Sequence, residues 1–171
     1  MTRAKESSKG RVAILMGSAS DHGVMRHAAQ ALSSLDVPYV WRVLSAHRTP
    51  DDLAKFVDDR SRGIRVWICG AGMAAHLAGA VAARTADPVI AVPIDSGGLG
   101  GLDALLASVQ MPPGVPVATV AVGEAGARNA GLLAASILAV SDEALAGRLR
   151  ALREEMAGKC RAADRDLDRS I

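Results

Sequence analysis

"VWICGAGMAAHLAGAVAA", residues 66–83, is the stretch on which the fold turns. Its length matches a membrane span. Yet it is rich in Gly and Ala, contains His76, and opens with a β-favouring run that stops at a glycine turn. Those features predict a strand, a turn and a helix in place of one long apolar helix. The same grammar recurs on either side. Short apolar runs bounded by turn residues stand at 11–16 ("RVAILM"), 38–44 ("PYVWRVL"), 65–69 ("RVWIC"), 88–93 ("PVIAVP") and 116–122 ("PVATVAV"), each followed by a helical segment. Strand and helix in alternation imply a parallel sheet. Because the runs are nearly continuous in apolar residues, both sheet faces need cover, which predicts a three-layer α/β sandwich.

Composition bounds the rest. A chain of 171 residues is expected to form one domain that buries about 70% of the surface its unfolded form exposes. Residues 1–10 read as a polar tail and 11–171 as the domain, with no linker or repeat between. Half the residues are apolar but only Tyr39, Trp41, Phe56 and Trp67 are aromatic. The interior is therefore built from Ala, Val, Leu and Ile at short packing distances. A net charge of +2 without a basic stripe argues against nucleic acid as a partner. Cys69 and Cys160 show no metal spacing and no disulfide framework, which fits a reducing cytoplasm. No signal peptide or membrane span is expected.

Boundaries carry their own mechanisms. Thr49 is expected to cap the second main helix, with Pro50 in its first turn and Asp52 completing a capping-box pattern. Two helices close the chain, "EAGARNAGLLAASILAV" and a charged one opened by Ser141. On the latter, Leu145, Leu149 and Leu152 form an apolar line that needs a partner on the core or on another subunit.

In open parallel sheets ligands bind beyond the carboxyl ends of the strands. Three loops lie there: "GSASD" (17–21), "SAHRTP" (45–50) and "GAGMAAH" (70–76). In the first, Ser18, Ser20 and backbone N–H groups make a phosphate cradle, and Asp21 can accept from sugar hydroxyls. Ser20 or Asp21 also reads simply as a helix cap. In the second, Arg48 offers a planar fork for phosphate, and His47 is the side chain able to exchange a proton near neutral pH. A His-Arg pair before a helix also reads as a solvated surface feature. The third loop matches G-x-G-x-x-A, but on the third strand and without the acidic residue a dinucleotide site requires. Gly70 and Gly72 are read instead as allowing backbone approach to a small ligand group. His76 reads equally as a ligand contact or a buried core histidine, and His22 and His27 as solvated. The chain has no Walker loop, no G-x-S-x-G elbow and no zinc spacing.

"MGSASD", "SAHRTP", "GAGMAAHLAG", "PVIAVP" and "GLDALLASVQMPPGVPVATVAVG", with "AGARNAGLLAASIL" after it, together resemble a known family. It is class I of the purine-biosynthesis carboxylases, the N-carboxyaminoimidazole ribonucleotide mutases. The resemblance spans roughly residues 11–140. It implies a flavodoxin-like sheet, a homo-octamer with sites at subunit contacts, and no metal or organic cofactor. It also implies an isomerase that moves a carboxylate from an exocyclic nitrogen to a ring carbon. Carried onto this chain, Ser18 and Arg48 bind the phosphate, Asp21 the ribose hydroxyls, and His47 transfers protons. Ser20, Ser45, Gly72 and His76 complete the pocket. The chain departs from many members at His22, Met73, Ala78 and the glycine-rich loop "IDSGGLGG" (94–101). Two other functions stay open: a direct carboxylase using free carbon dioxide, and a non-catalytic nucleotide-binding module.

Overall fold

The computed structural model describes residues 12–167, so the expected polar tail at 1–10 lies outside the described residues. Five strands, β1 (Val12–Met16), β2 (Tyr39–Val43), β3 (Val66–Gly72), β4 (Val89–Ile94) and β5 (Ala118–Thr119), alternate with helices. These are α1 (His22–Ser34), α2 (Pro50–Asp58), α3 (His76–Ala82), α4 (Leu102–Val109), α5 (Gly123–Ala139) and α6 (Glu143–Asp166). All strand pairs are parallel and the sheet order is β2-β1-β3-β4-β5. That is the flavodoxin-like order.

Side-chain alternation sorts the interior into two cores, one on each face of the sheet. Val12, Ile14 and Met16 of β1 join Ile68 of β3 and Ile90 of β4 against α1 and α5. Ala13 and Leu15 join Trp67 and Cys69 against Leu53, Phe56 and Val57 of α2 and Leu77 and Val81 of α3. Each fully buried Leu or Ile side chain here stabilises the fold by about 1.5–3 kcal/mol. The helix on helix layer is alanine-built as composition requires, with Ala28 and Ala31 of α1 and Ala127, Ala130 and Ala134 of α5 all buried. Burial pushes the Cys69 thiol up, so it packs as a small apolar group.

Several boundaries differ from expectation for local reasons. Residues 66–83 do hold strand, turn and helix, but β3 runs through both glycines to Gly72 and the turn follows at 73–75. Gly70 and Gly72 are ladder residues, paired with Val92 and Ile94. β5 shrinks to two residues. Pro116 has no N–H to give to a ladder, and this edge strand has β4 alone as neighbour. Asp142, not Ser141, caps α6, accepting the Leu145 N–H at 3.0 Å. The apolar line of α6 packs on the chain's own core, with Leu145 fully buried and Leu149 and Leu152 against the same cluster. Arg148 Nε donates to the Leu35 carbonyl at 2.8 Å and fixes the crossing. Among the described residues no helix is long and apolar enough to cross a membrane.

Candidate active site

The loops after β1, β2 and β3 converge on a cavity of about 500 Å³. Its lining includes Ser18, Ser20, Asp21, Ser45, His47, Arg48, Gly72 and His76, so every site residue expected from the sequence comes to one place. Sheet order explains the convergence, because β2 and β3 flank β1.

After β1, Gly17 N–H donates to the Gly70 carbonyl at 3.1 Å and pins the loop to β3. A short 3-10 turn follows at Ala19–Asp21. The Ser18 oxygen accepts from Ser20 N–H and from the Ser20 hydroxyl, at 3.3 and 2.9 Å. Asp21 Oδ2 accepts Ser18 N–H at 3.0 Å. The reciprocal Ser18–Asp21 arrangement is a capping box on the turn. Asp21 makes no side-chain cap to α1. Only 5% of Asp21 is exposed, and loss of water pushes its carboxyl above the usual value. The Ser18 N–H, the Ser20 hydroxyl and the Arg48 charge pull it partly back.

After β2, Leu44 N–H donates to the Met16 carbonyl at 2.9 Å, keeping the chain on the sheet up to the loop. His47 and Arg48 are both exposed. Arg48 gives one terminal nitrogen to the Gly17 carbonyl at 2.7 Å, which ties the second loop to the first. Its Nε faces Ser45 Oγ at 3.4 Å, and the other terminal N–H groups can serve an anion. The expected capping box at Thr49 is absent. Thr49 makes no side-chain cap, because its hydroxyl is engaged with the main chain of Ser45.

After β3, Met73 and Ala75 adopt left-handed φ values of 54° and 42°, which cost about 1–2 kcal/mol per residue with a Cβ. The bend they make sets His76 at the first position of α3. Gly72 lines the cavity, and both glycines of this loop also meet a steric demand inside the protein. A Cβ on Gly70 would overlap Met25, and one on Gly72 would overlap Ser96 and sit 2.9 Å from the Ile94 carbonyl. Their missing side chains make room for the protein itself, and Gly70 does not line the cavity.

The second and third loops meet through their histidines. His47 Nε2 lies 2.7 Å from His76 Nδ1, with the rings edge to face at 79°. A hydrogen bond at this distance needs one nitrogen protonated and the other bare, and which ring donates depends on the tautomer. His76 is exposed, which rules out the buried-core reading. His22 packs on Trp41 with ring centroids 4.7 Å apart. His27 is not simply solvated: it is partly buried, with Nε2 3.3 Å from Glu124 Oε2. Neither lines the cavity.

Sequence reasoning missed Ser96, which enters the cavity from the loop after β4. The signal was present, since this loop also follows the carboxyl end of a strand. Among the described residues no group of three or more His, Cys, Asp or Glu stands close enough to hold a metal ion.

The chain is 56% identical over 144 residues to the N5-carboxyaminoimidazole ribonucleotide mutase of Bacillus subtilis, covering 84% of this chain and 89% of that one. With the Haemophilus influenzae protein of the same name it shares 53% over 149 residues, 86% and 91% of the two chains. The crystal structure of Treponema denticola PurE superposes with a TM-score of 0.82 at 32% identity, over 92% of this chain and 98% of that one. Residues 11–159 match the family model described as AIR carboxylase, and the chain belongs to that family.

Proposed function

We propose that this protein is an isomerase of purine biosynthesis that moves a carboxylate from the exocyclic nitrogen of N-carboxyaminoimidazole ribonucleotide to the ring carbon. The observation that carries the reading is the His47 Nε2 to His76 Nδ1 contact of 2.7 Å, in a cavity that also offers Arg48 and serine hydroxyls. The relatives' shared name supports it.

Ser18 and Arg48 take the phosphate, and Asp21 accepts from the ribose hydroxyls, which are good partners for a carboxylate already stripped of water. Ser20, Gly72 and His76 border the base. The N-carboxylate is a labile carbamate. Protonated His47 gives its proton to the nitrogen as the N–C bond breaks, releasing carbon dioxide beside an electron-rich ring. The ring carbon attacks the carbon dioxide and a C–C bond forms. That carbon is now tetrahedral, and His47, neutral since the first step, removes its proton to restore aromaticity. One proton goes out and one returns, so no co-reactant is consumed. Acid-base assistance of this kind is worth about 10²- to 10⁴-fold. His76 holds the tautomer of His47 through their shared hydrogen bond. Ser96 and the bend at 73–75 wall the space where carbon dioxide must wait.

In this reading residues 11–171 act as one domain, without metal or organic cofactor, in a cytoplasmic homo-octamer. Exposed Leu99, Leu102, Leu106 and Val109 on and before α4 are apolar area that subunit contacts would cover. A spectroscopic assay with the purified chain tests the reaction. N-carboxyaminoimidazole ribonucleotide should convert to its C-carboxylated isomer without added bicarbonate. Turnover only with free aminoimidazole ribonucleotide and bicarbonate would make the protein a direct carboxylase. Binding without turnover would make it a nucleotide-binding module.

A further inference from the structure

Thr49 precedes α2 at a position where a threonine hydroxyl ordinarily caps the first turn. Here it turns backwards. Its Oγ1 accepts the Ser45 N–H at 2.9 Å and donates to the Ser45 carbonyl at 3.2 Å, so its one proton and an oxygen lone pair go to a single residue four positions earlier. Pro50, which follows it in the first turn of the helix, brings no N–H of its own that needs a partner.

Ser45 continues the chain of contacts. It is 9% exposed, and its Oγ accepts from His47 N–H at 3.3 Å, Arg48 N–H at 3.2 Å and Arg48 Nε at 3.4 Å. Three donors on one hydroxyl oxygen leave only its proton for any other partner. The two exposed residues expected to meet the ligand therefore take their positions from two hydroxyls behind them. The demand on that placement is high. His47 must hold its ring nitrogen 2.7 Å from a histidine on a different strand's loop, and a shift of about 1 Å breaks such a contact.

We propose that Thr49 and Ser45 are positioning residues that lock the 45–49 loop and thereby aim His47 and Arg48, without themselves carrying the reaction. The inference rests on the isomerase reading for its kinetic test but not for its spectroscopic one. Thr49→Val keeps the side-chain shape and removes the hydroxyl, while the Thr49 N–H to Ser45 carbonyl bond of 3.0 Å remains to hold the turn. In full-length protein, T49V should lower kcat on the order of 10- to 100-fold, the usual result of misaligning a reacting group. T49S, which keeps the hydroxyl, should recover most of that loss. Ser45→Ala should raise KM, because Arg48 Nε loses its partner. In the ligand-free protein, NMR should show the hydrogen bond between the His47 and His76 rings in wild type and T49S, and its loss in T49V.

T49V with wild-type kcat and an intact hydrogen bond between the two rings would overturn the proposal. So would T49S as impaired as T49V, which would assign the effect to the methyl group, or S45A with unchanged KM. If T49V does not fold, S45A decides alone. If wild type fails to interconvert the ribonucleotides, the isomerase reading falls, and the hydrogen bond between the rings still decides the positioning role.

Discussion

At the carboxyl end of the sheet lies a cavity of about 500 Å³ lined by His47, Arg48, His76 and Asp21. At the amino end, before β4 and β5, lies one of about 700 Å³ lined by Arg84, Thr85, Asp87, Pro88 and Pro116. The larger space is chemically the quieter. Its charges are spent on one another: Arg60 Nη1 meets Asp87 Oδ2 at 2.6 Å, the Thr85 hydroxyl donates to the same oxygen at 3.0 Å, and Arg84 holds Asp58 at 2.6 Å. Asp58 is held below the usual carboxylate range by that arginine. At the carboxyl end the reverse holds. Asp21 is pushed upward by burial, Met73 and Ala75 sit in left-handed backbone, and two exposed rings meet nitrogen to nitrogen at 2.7 Å. Groups kept away from their own optimum collect where a ligand can use them, and volume alone does not find the site.

The sharpest way to break this contrast is His47→Asn. Asparagine keeps a polar group near His76 but cannot gain and lose a proton near neutral pH. Turnover should fall by about 10²- to 10⁴-fold. Nucleotide affinity should change little, because Arg48 and Ser18 remain. The melting temperature should hold, since the ring is exposed and its ring contact is with His76, itself exposed. Turnover and calorimetric titration of the product, measured on one preparation, separate these. Near-normal turnover would leave the carboxyl end with no reactive group of its own.

Asp21→Asn probes the same end with a smaller effect and opposite signs for binding and stability. The folded carboxyl has a pKa above its unfolded value of 3.8. Its contribution to stability is thus fully present below pH 3.8 and is lost as pH rises through the raised folded value, leaving the ionised group a net cost at pH 7. Asparagine keeps an oxygen for the Ser18 N–H and never ionises. The variant should therefore melt above wild type at pH 7, with the gap closing toward pH 3. Ligand affinity should drop about 10- to 100-fold, the worth of a hydrogen bond to a charged group. A variant less stable at pH 7 than wild type would show that Asp21 is held for structure.

How much of this was legible in the sequence follows the range of each interaction. The five strand positions and the two-faced cover were readable because continuous apolar runs leave a parallel sheet few alternatives. "SAHRTP" was readable as a loop at the carboxyl end of a strand, while its residue types left a solvated reading open beside a ligand-binding one. The His47–His76 pair was not, since the rings come from loops 29 residues apart and meet only because β1 runs between their strands. Ser96 was legible only by position, on a loop after the carboxyl end of β4, and its residue type alone did not single it out. The glycines of β3 looked like a ligand approach, yet Met25 and Ser96 fill the space they leave, and no local pattern announces a contact between α1 and β3. Thr49 misled in another way: its type and position fit a cap, and a competing donor, the Ser45 N–H four residues back, won the hydroxyl oxygen.

The smallest expected effect belongs to the amino end. Arg84 meets Asp58 through two hydrogen bonds, Nε to Oδ1 at 3.2 Å and Nη2 to Oδ2 at 2.6 Å, geometry that looks strong on paper. Their side chains, however, are 42% and 51% exposed. Water competes for both partners, and ordering two long side chains offsets what attraction remains. Arg84→Ala should therefore leave the melting temperature at pH 7 inseparable from wild type by calorimetry, and turnover unchanged. Any difference must also carry the right sign with pH. Because the folded Asp58 pKa lies below 3.8, the pair contributes above that value and its contribution vanishes as pH falls through the lowered folded value. A clear destabilisation at pH 7 that persists at pH 2 would mean that Arg84 acts through its packed stem and not its charge. One that disappears on acidification would mean that a solvent-exposed pair here is worth more than its exposure allows, and the quiet end of the sheet would have to be counted as structural scaffolding for the other.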